Sequence, residues 1–389
     1  MSVTLPQGFR AAGIAVGLKS TGKPDLALVQ NLGPSKAAAC VFTGNRAQAN
    51  PVLFSKKVIA NGEVEAIILN SGGANCFTGE FGYETTSLTA SAVASALSDS
   101  GQQVSADDVL VCSTGLIGFG GQDFRDRIVQ GVPTLVAELS EDDDTAADAI
   151  LTTDSVRKTA QYSHDGWSIG AIAKGAGMLA PGLATMLVVI TTDAHLESAE
   201  LDTALRAATA KTFDRLDSDG CMSTNDTVAL LSSGASKVVP DIVTFTAALT
   251  AVCDDLAGQL QADAEGASHS IDIEVVNANS ESDAVQVARS VARNNLFKTA
   301  IFGNDPNWGR VLAAIGTTDA TFDPYNVDVT INGVRVCHRG GPDADPASID
   351  LSPKDVHVLI NLFAGESAAT VRTNDLTTAY VHENSAYSS

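Results

Sequence analysis

A mixed α/β fold is predicted by three observations. Short β-branched runs recur between stretches that carry apolar residues at helical spacing. Of 389 residues, 44% are hydrophobic and 18% charged, the composition of a globular chain long enough for two or three domains. Aromatic residues make up only 5%, so the core is expected to consist of small side chains packed closely against sheets rather than of large rings.

In chain order, Val64 to Leu69 reads as a strand, Ser87 to Ser98 as a helix, Val109 to Cys112 as a strand and Gln122 to Leu139 as a helix. Met186 to Thr191 is the most apolar of the strands. Two helices follow, Glu200 to Leu216 and Phe245 to Ala264, the second with Leu249, Val252, Cys253, Leu256 and Leu260 on one side. Strands at Asp272 to Val276, Val327 to Ile331 and Val356 to Phe363 surround a long helix over Ser282 to Ala300, and Asp305 can cap a helix that has Pro306 at its first position. The change near Ser268 from a long helix to a strand-rich segment sets the expected boundary between a main domain, 1–267, and a smaller C-terminal α/β domain, 268–389. The acidic stretch Glu141 to Asp144 reads as a solvated loop.

Charge and cysteine usage exclude several classes of function. With 24 Lys plus Arg against 46 Asp plus Glu, the net charge of −22 repels nucleic-acid phosphates and anionic membranes instead of releasing their counterions. No basic segment leads into an apolar one between Met1 and Lys19, and the run Met186 to Ile190 is far short of the roughly 20 residues that cross a bilayer. Cys40, Cys76, Cys112, Cys221, Cys253 and Cys337 have no CxxC spacing and read as core thiols of a cytoplasmic protein, so neither a metal site nor a disulfide framework is expected. Gly175-x-Gly177-x-x-Ala180 imitates a dinucleotide fingerprint, but Pro181 and Gly182 stand where the helix would open. Asp217 to Gly220 places its glycine too early for a calcium loop, and no Gly-x-Ser-x-Gly elbow is present.

The segment KGAGMLAPGLATMLVVI, Lys174 to Ile190, differs from these. A Gly- and Pro-rich stretch runs straight into an apolar strand whose first residue is Thr185. Cutting the bond before Thr185 would free an α-amine of pKa roughly 7.7–8 on the residue whose hydroxyl it must deprotonate, so one residue would supply nucleophile and base. The local pattern taken alone favours Thr185 as a β-former that merely opens a core strand.

The run KGAGMLAPGLATML resembles the cleavage and nucleophile motif of the ornithine acetyltransferase family, the bifunctional glutamate N-acetyltransferases of arginine biosynthesis. The likeness continues through NSGGAN (Asn70 to Asn75), CSTGLIG (Cys112 to Gly118), TTD (Thr152 to Asp154), STNDT (Ser223 to Thr227), QADAEG (Gln261 to Gly266), DPNWGR (Asp305 to Arg310) and ENSAYSS (Glu383 to Ser389). The resemblance implies a helix-sheet-sheet-helix sandwich, similar to self-processing N-terminal-nucleophile aminopeptidases, followed by the smaller α/β domain. It implies self-cleavage between Ala184 and Thr185, an acetyl-Thr185 intermediate formed from N-acetylornithine and transferred to glutamate, and an oxyanion hole at Thr114 and Gly115. It further implies a substrate pocket of Thr152, Lys174, Thr185, Glu265, Asn384 and Ser389, with Lys174 suited to a carboxylate and Glu265 to the ammonium of ornithine. Thr153 stands beside Thr152, so that assignment is open to an offset of one. Taken alone, Thr114 and Gly115 also fit a plain strand-ending turn, and Glu265 a solvated helix end.

The family expectation includes no cofactor beyond acetyl-CoA as an alternative donor, and an α2β2 assembly of chains 1–184 and 185–389. Two other readings compete with it. A self-processing aminopeptidase or amidase would use the same nucleophile with water as acceptor, and a non-catalytic scaffold would remain an uncut chain of 40.0 kDa.

Overall fold

Runs such as AIILN and LVVITT offer no polar alternation, and in the computed structural model they are strands buried along their whole length. The structure describes residues 2–180 and 186–386. These fall into two units, one of residues 2–176, 186–213 and 222–260, the other of residues 177–180, 214–221 and 261–386.

The first unit runs β1 (Phe9–Ile14), β2 (Leu26–Asn31), β3 (Ala38–Phe42), α1 (Asn50–Val58), β4 (Ala66–Asn70), α2 (Gly79–Asp99), β5 (Val109–Ser113), α3 (Gln122–Ala137), α4 (Asp144–Ala149), β6 (Lys158–His164), β7 (Trp167–Lys174), β8 (Leu187–Thr192), α5 (Ser198–Lys211), β9 (Thr227–Ser232) and α6 (Ile242–Ala262). Its strands form a four-stranded sheet, β1-β2-β4-β5, and a five-stranded sheet, β3-β9-β8-β7-β6. A single apolar cluster joins Leu28, Ile67 and Val111 of the first sheet to Cys40, Ile172, Val189 and Ala229 of the second, and takes in Phe54, Val93, Ile128 and Ala146 from α1 to α4. On the second sheet α5 packs against β3, and the Trp167 ring of β7 lies 5.4 Å from Phe245 of α6. The layers are therefore helix, sheet, sheet and helix. Leu249, Val252, Cys253, Leu256 and Leu260 of α6 are all buried, as their spacing predicts.

The second unit holds β10 (Ser270–Ala278), α7 (Glu281–Ala292), α8 (Asn295–Phe302), α9 (Trp308–Ile315), β11 (Asp328–Ile331), β12 (Val334–His338), β13 (Gly341–Pro342), β14 (Asp355–Asn361), β15 (Ser367–Asn374) and α10 (Thr378–Ala386). Its six strands are ordered β13-β12-β11-β14-β10-β15, with α7 packed on β10 and β15. No helix among the described residues is long and apolar enough to cross a membrane.

Three sequence expectations are corrected. The helix expected over Ser282 to Ala300 is two helices, because Asn294 turns out of α7 and its side chain accepts from Phe297 N–H to start α8. Asp143, expected in solvent, is buried and accepts hydrogen bonds from the backbone and hydroxyl of both Ser2 and Thr4, so it anchors the N-terminal segment. Cys221 is exposed, whereas the other five thiols are buried.

Burial of β4 on both faces gives a measurable consequence. Ile67 and Ile68 point to opposite faces of the sheet, and both are buried. Replacing either by Ala is expected to cost about 2–5 kcal/mol, read from denaturant midpoints; a sheet with one solvated face would leave one of the two near neutral.

Candidate active site

Strand register brings the chemistry-bearing residues of the first unit to one place. Across the five-stranded sheet Lys174 pairs with Leu187, and Leu187 with Thr227, so Met186 and Asp226 stand one residue beyond that line. In the other sheet β4 and β5 run parallel with Asn70 beside Ser113, so the NSGGAN and CSTGLIG loops leave the same end side by side.

Polar side chains stitch these loops together. Ser113 Oγ donates to Asn70 Oδ1 at 2.6 Å, and Asn70 Nδ2 donates to Gly73 O at 3.1 Å. Asn225 Nδ2 donates to Ala74 O at 2.6 Å and to Ser113 O at 2.8 Å, which ties the STNDT segment to both loops. Gly115 has φ +129°, and a Cβ there would stand 2.5 Å from Gly73 N, so only glycine fits the turn. Thr114 is 1% exposed, and its Oγ1 accepts from Lys174 Nζ at 3.2 Å. That donation occupies a lone pair and leaves the Thr114 O–H proton to point elsewhere.

Lys174 is itself 1% exposed at the end of β7. Asp154 compensates its charge. The Asp154 carboxylate takes Lys158 Nζ at 2.7 Å, Gly175 N–H at 2.6 Å and Thr152 N–H at 3.0 Å. Burial would raise its pKa, but attraction to Lys174 and Lys158 and the hydrogen bonds outweigh this and hold it at about 2. Lys19 also feels Asp25, Asp154 and Lys174, and burial lowers it to about 8. Thr152 and Thr153 lie in bends rather than in a strand; Thr152 is half-buried on Asp154, and Thr153 is exposed.

Within the second unit Glu265 lies in the turn after α6 rather than on the helix. Its Oε2 accepts from Asn384 Nδ2 of α10 at 3.0 Å. The carboxylate rests against Gly177, where a Cβ would come within 2.5 Å of Oε2. Met178 N–H donates to Asp219 Oδ2 at 2.9 Å, and the Tyr380 hydroxyl donates to the same oxygen at 3.4 Å. The tail helix is held at its start by Thr377, whose Oγ1 donates to Gly266 O at 2.6 Å and accepts from Tyr380 N–H at 2.9 Å.

Of the residues singled out in the sequence, Thr152 is hydrogen-bonded to Asp154, Lys174 feels the Asp154 charge and donates to Thr114, which precedes Gly115 in the first unit, and Glu265 meets Asn384 in the second. Ala184, Thr185 and Ser389 lie outside the described residues. Sequence reasoning missed Asp154, Asp219, Asn225 and Asp226 as partners. Asp154, Asn225 and Asp226 stand inside the TTD and STNDT blocks, but nothing in those blocks tells a buried carboxyl from a solvated one.

The chain matches the model of the ArgJ family over residues 10–389. It is 58% identical over 390 residues to the arginine biosynthesis bifunctional protein ArgJ of Streptomyces coelicolor, with 100% of both chains covered. Its identity to the protein of that name from Thermobifida fusca is 56% over 389 residues, again with 100% of each covered. Among solved structures, an ornithine acetyltransferase from Mycobacterium tuberculosis in complex with ornithine is 49% identical; the match covers 48% of this chain and 96% of that one, with a TM-score of 0.45.

Two substitutions test this geometry. Asp154→Asn takes away the negative charge that faces the buried Lys158 and Lys174 and is expected to cost roughly 3–5 kcal/mol in denaturant unfolding. Because the folded pKa lies below the unfolded value, the contribution of Asp154 is fully present above pH of about 4 and is lost as pH falls towards 2, so the deficit of the variant should shrink in acid. Gly115→Ala, which forces a side chain against the Gly72–Gly73 backbone at a positive φ, is expected to lower stability by roughly 1–3 kcal/mol, read from the unfolding midpoint, and, in protein that remains folded, to reduce turnover by about 10²-fold in steady-state assays.

Proposed function

The chain belongs to the ArgJ family, and on that premise we propose that it is an acetyltransferase of arginine biosynthesis that moves acetyl from N-acetylornithine to glutamate through Thr185. The full-length likeness to bifunctional ArgJ proteins carries this reading. The precursor cuts itself between Ala184 and Thr185: the Thr185 hydroxyl attacks the Ala184 carbonyl, the amide becomes an ester, and water releases chains 1–184 and 185–389. The freed amine then accepts the Thr185 hydroxyl proton while the oxygen attacks the acetyl carbonyl. Ornithine leaves with a proton on its amine. Glutamate attacks the acetyl ester in the second half-reaction and restores the hydroxyl, so the kinetics are ping-pong.

Each half-reaction develops a negative oxygen, for which the Thr114 O–H and the Gly115 N–H are the donors. The Lys174 ammonium donating to Thr114 supports this role, because it polarises the hydroxyl and fixes its direction. Thr152 and Lys174 receive the α-carboxylate side of the substrate and Glu265 takes the ornithine ammonium, with Asn384 and Ser389 as the further substrate contacts. The hydrogen bond that already fixes Glu265 to Asn384 supports their pairing. No metal or organic cofactor is needed, since one residue supplies nucleophile and base. Acetyl-CoA is a second donor of the same acetyl group. The cleaved chains stay together as an α2β2 assembly in the cytoplasm, because cutting one bond removes none of the buried contact of β8.

Intact-mass measurement before and after incubation with N-acetylornithine tests the whole scheme. Two fragments are expected, with one acetyl adduct on the fragment that begins at Thr185. Thr185→Ala is expected to remain uncut and to lose acetyl exchange by at least about 10³-fold. Acetate released without glutamate would point to a hydrolase instead.

A further inference from the structure

Asp226 is fully buried at the start of β9, and the scheme above gives it no task. Its Oδ1 accepts from Met186 N–H at 3.2 Å. Met186 is also held on its other side, where its carbonyl accepts from Thr227 N–H at 3.2 Å, so the carboxyl extends the β8–β9 pairing by one more hydrogen bond. The second carboxyl oxygen, Oδ2, is buried and makes no hydrogen bond of ordinary geometry, although the Ser223 and Thr43 hydroxyls lie close to the carboxyl. Such an atom is costly to leave in place, and packing alone would be served by an apolar side chain. Burial pushes the carboxyl well above the usual carboxylate range, against hydrogen bonds from the Ser223 hydroxyl, the Met186 N–H and the Thr43 hydroxyl and the pull of the Lys174 ammonium.

The Met186 N–H belongs to the peptide plane whose carbonyl carbon is that of Thr185, since a peptide unit is rigid. A group that fixes this N–H therefore fixes the direction in which the chain leaves the nucleophile, both before and after the Ala184–Thr185 bond is cut. We infer that Asp226 is the positioning residue of the Thr185 nucleophile, holding the peptide that follows it by accepting the Met186 N–H. The inference rests on the reading of Thr185 as nucleophile. It assigns Asp226 no contact with the acetyl group; its effect passes through the backbone.

Asp226→Asn keeps the shape and an oxygen for Met186 N–H, whereas Asp226→Ala removes the acceptor. The measurements are fragment formation by intact mass, kcat and KM for acetyl transfer from N-acetylornithine to glutamate, and the unfolding midpoint, all well below that midpoint. Asp226→Ala is expected to slow self-cleavage and to lower kcat about 10²-fold with KM changed less than about threefold, the size of effect that follows when a reacting group is misplaced by about 1 Å. Asp226→Asn is expected to recover most of both losses.

A folded Asp226→Ala protein that cuts and turns over at the parental rate overturns the inference, as does an Asp226→Asn protein damaged as much as the Ala variant. If Asp226→Ala does not fold, Asp226→Asn alone decides: a loss of about 10²-fold in kcat overturns the inference, because the variant keeps an acceptor for Met186 N–H, and a near-parental kcat supports it. Thr185→Ala is assayed in parallel. Exchange that survives in that protein removes the nucleophile itself, whereas a dead Thr185→Ala beside an unimpaired Asp226→Ala removes only the role given to Asp226.

Discussion

A carboxylate enclosed by two buried ammonium groups sets the terms for the end of the five-stranded sheet. Asp154 faces Lys158 directly and Lys174 through its field, and it accepts the Gly175 and Thr152 N–H groups as well. In a low-dielectric setting such a cluster is tolerated only if every member is compensated, so the strand end, the TTD bend and the residue after β7 are held in one arrangement. That arrangement is what lets an otherwise costly lysine stand beside Thr114.

Fixing Lys174 has consequences along the strands. The register from β7 through β8 to β9 carries its position to Met186 and Asp226, and the Asn225 amide carries it on to the two loops that leave β4 and β5. Gly115 closes the arrangement because the Gly72–Gly73 backbone occupies the space of a side chain. In the second unit a comparable economy is seen around Asp219 and Glu265, whose carboxylates collect Met178, Tyr380 and Asn384. Rigid elements thus present the polar groups, which is what a site that must stabilise a developing charge requires.

The legible part of the fold was the part whose residues report their own burial. LVVITT, VLVCS and the apolar side of α6 have a pattern that only a core can satisfy, and they lie within three residues of where the sequence puts them. The break between α7 and α8 was invisible because Asn294 suits a helix surface and a helix cap alike, and only the cap geometry separates the two. Asp143 was read as solvated because three acidic neighbours make a charge run; its burial depends on Ser2 and Thr4, which lie more than a hundred residues away in the chain.

By itself the sequence determined the alternation of strands and helices, the family, and the identity of the residues that could act as nucleophile, oxyanion donors and charge partners, because those depend on side-chain type and local period. Tertiary structure alone decided that Asp154, Lys158 and Lys174 share one buried cluster, that Thr114 accepts from Lys174, and that Asp226 is bonded to the residue after Thr185. Each of these is a contact between segments distant in the chain, and its energy depends on removal from water, a property no single stretch of residues carries.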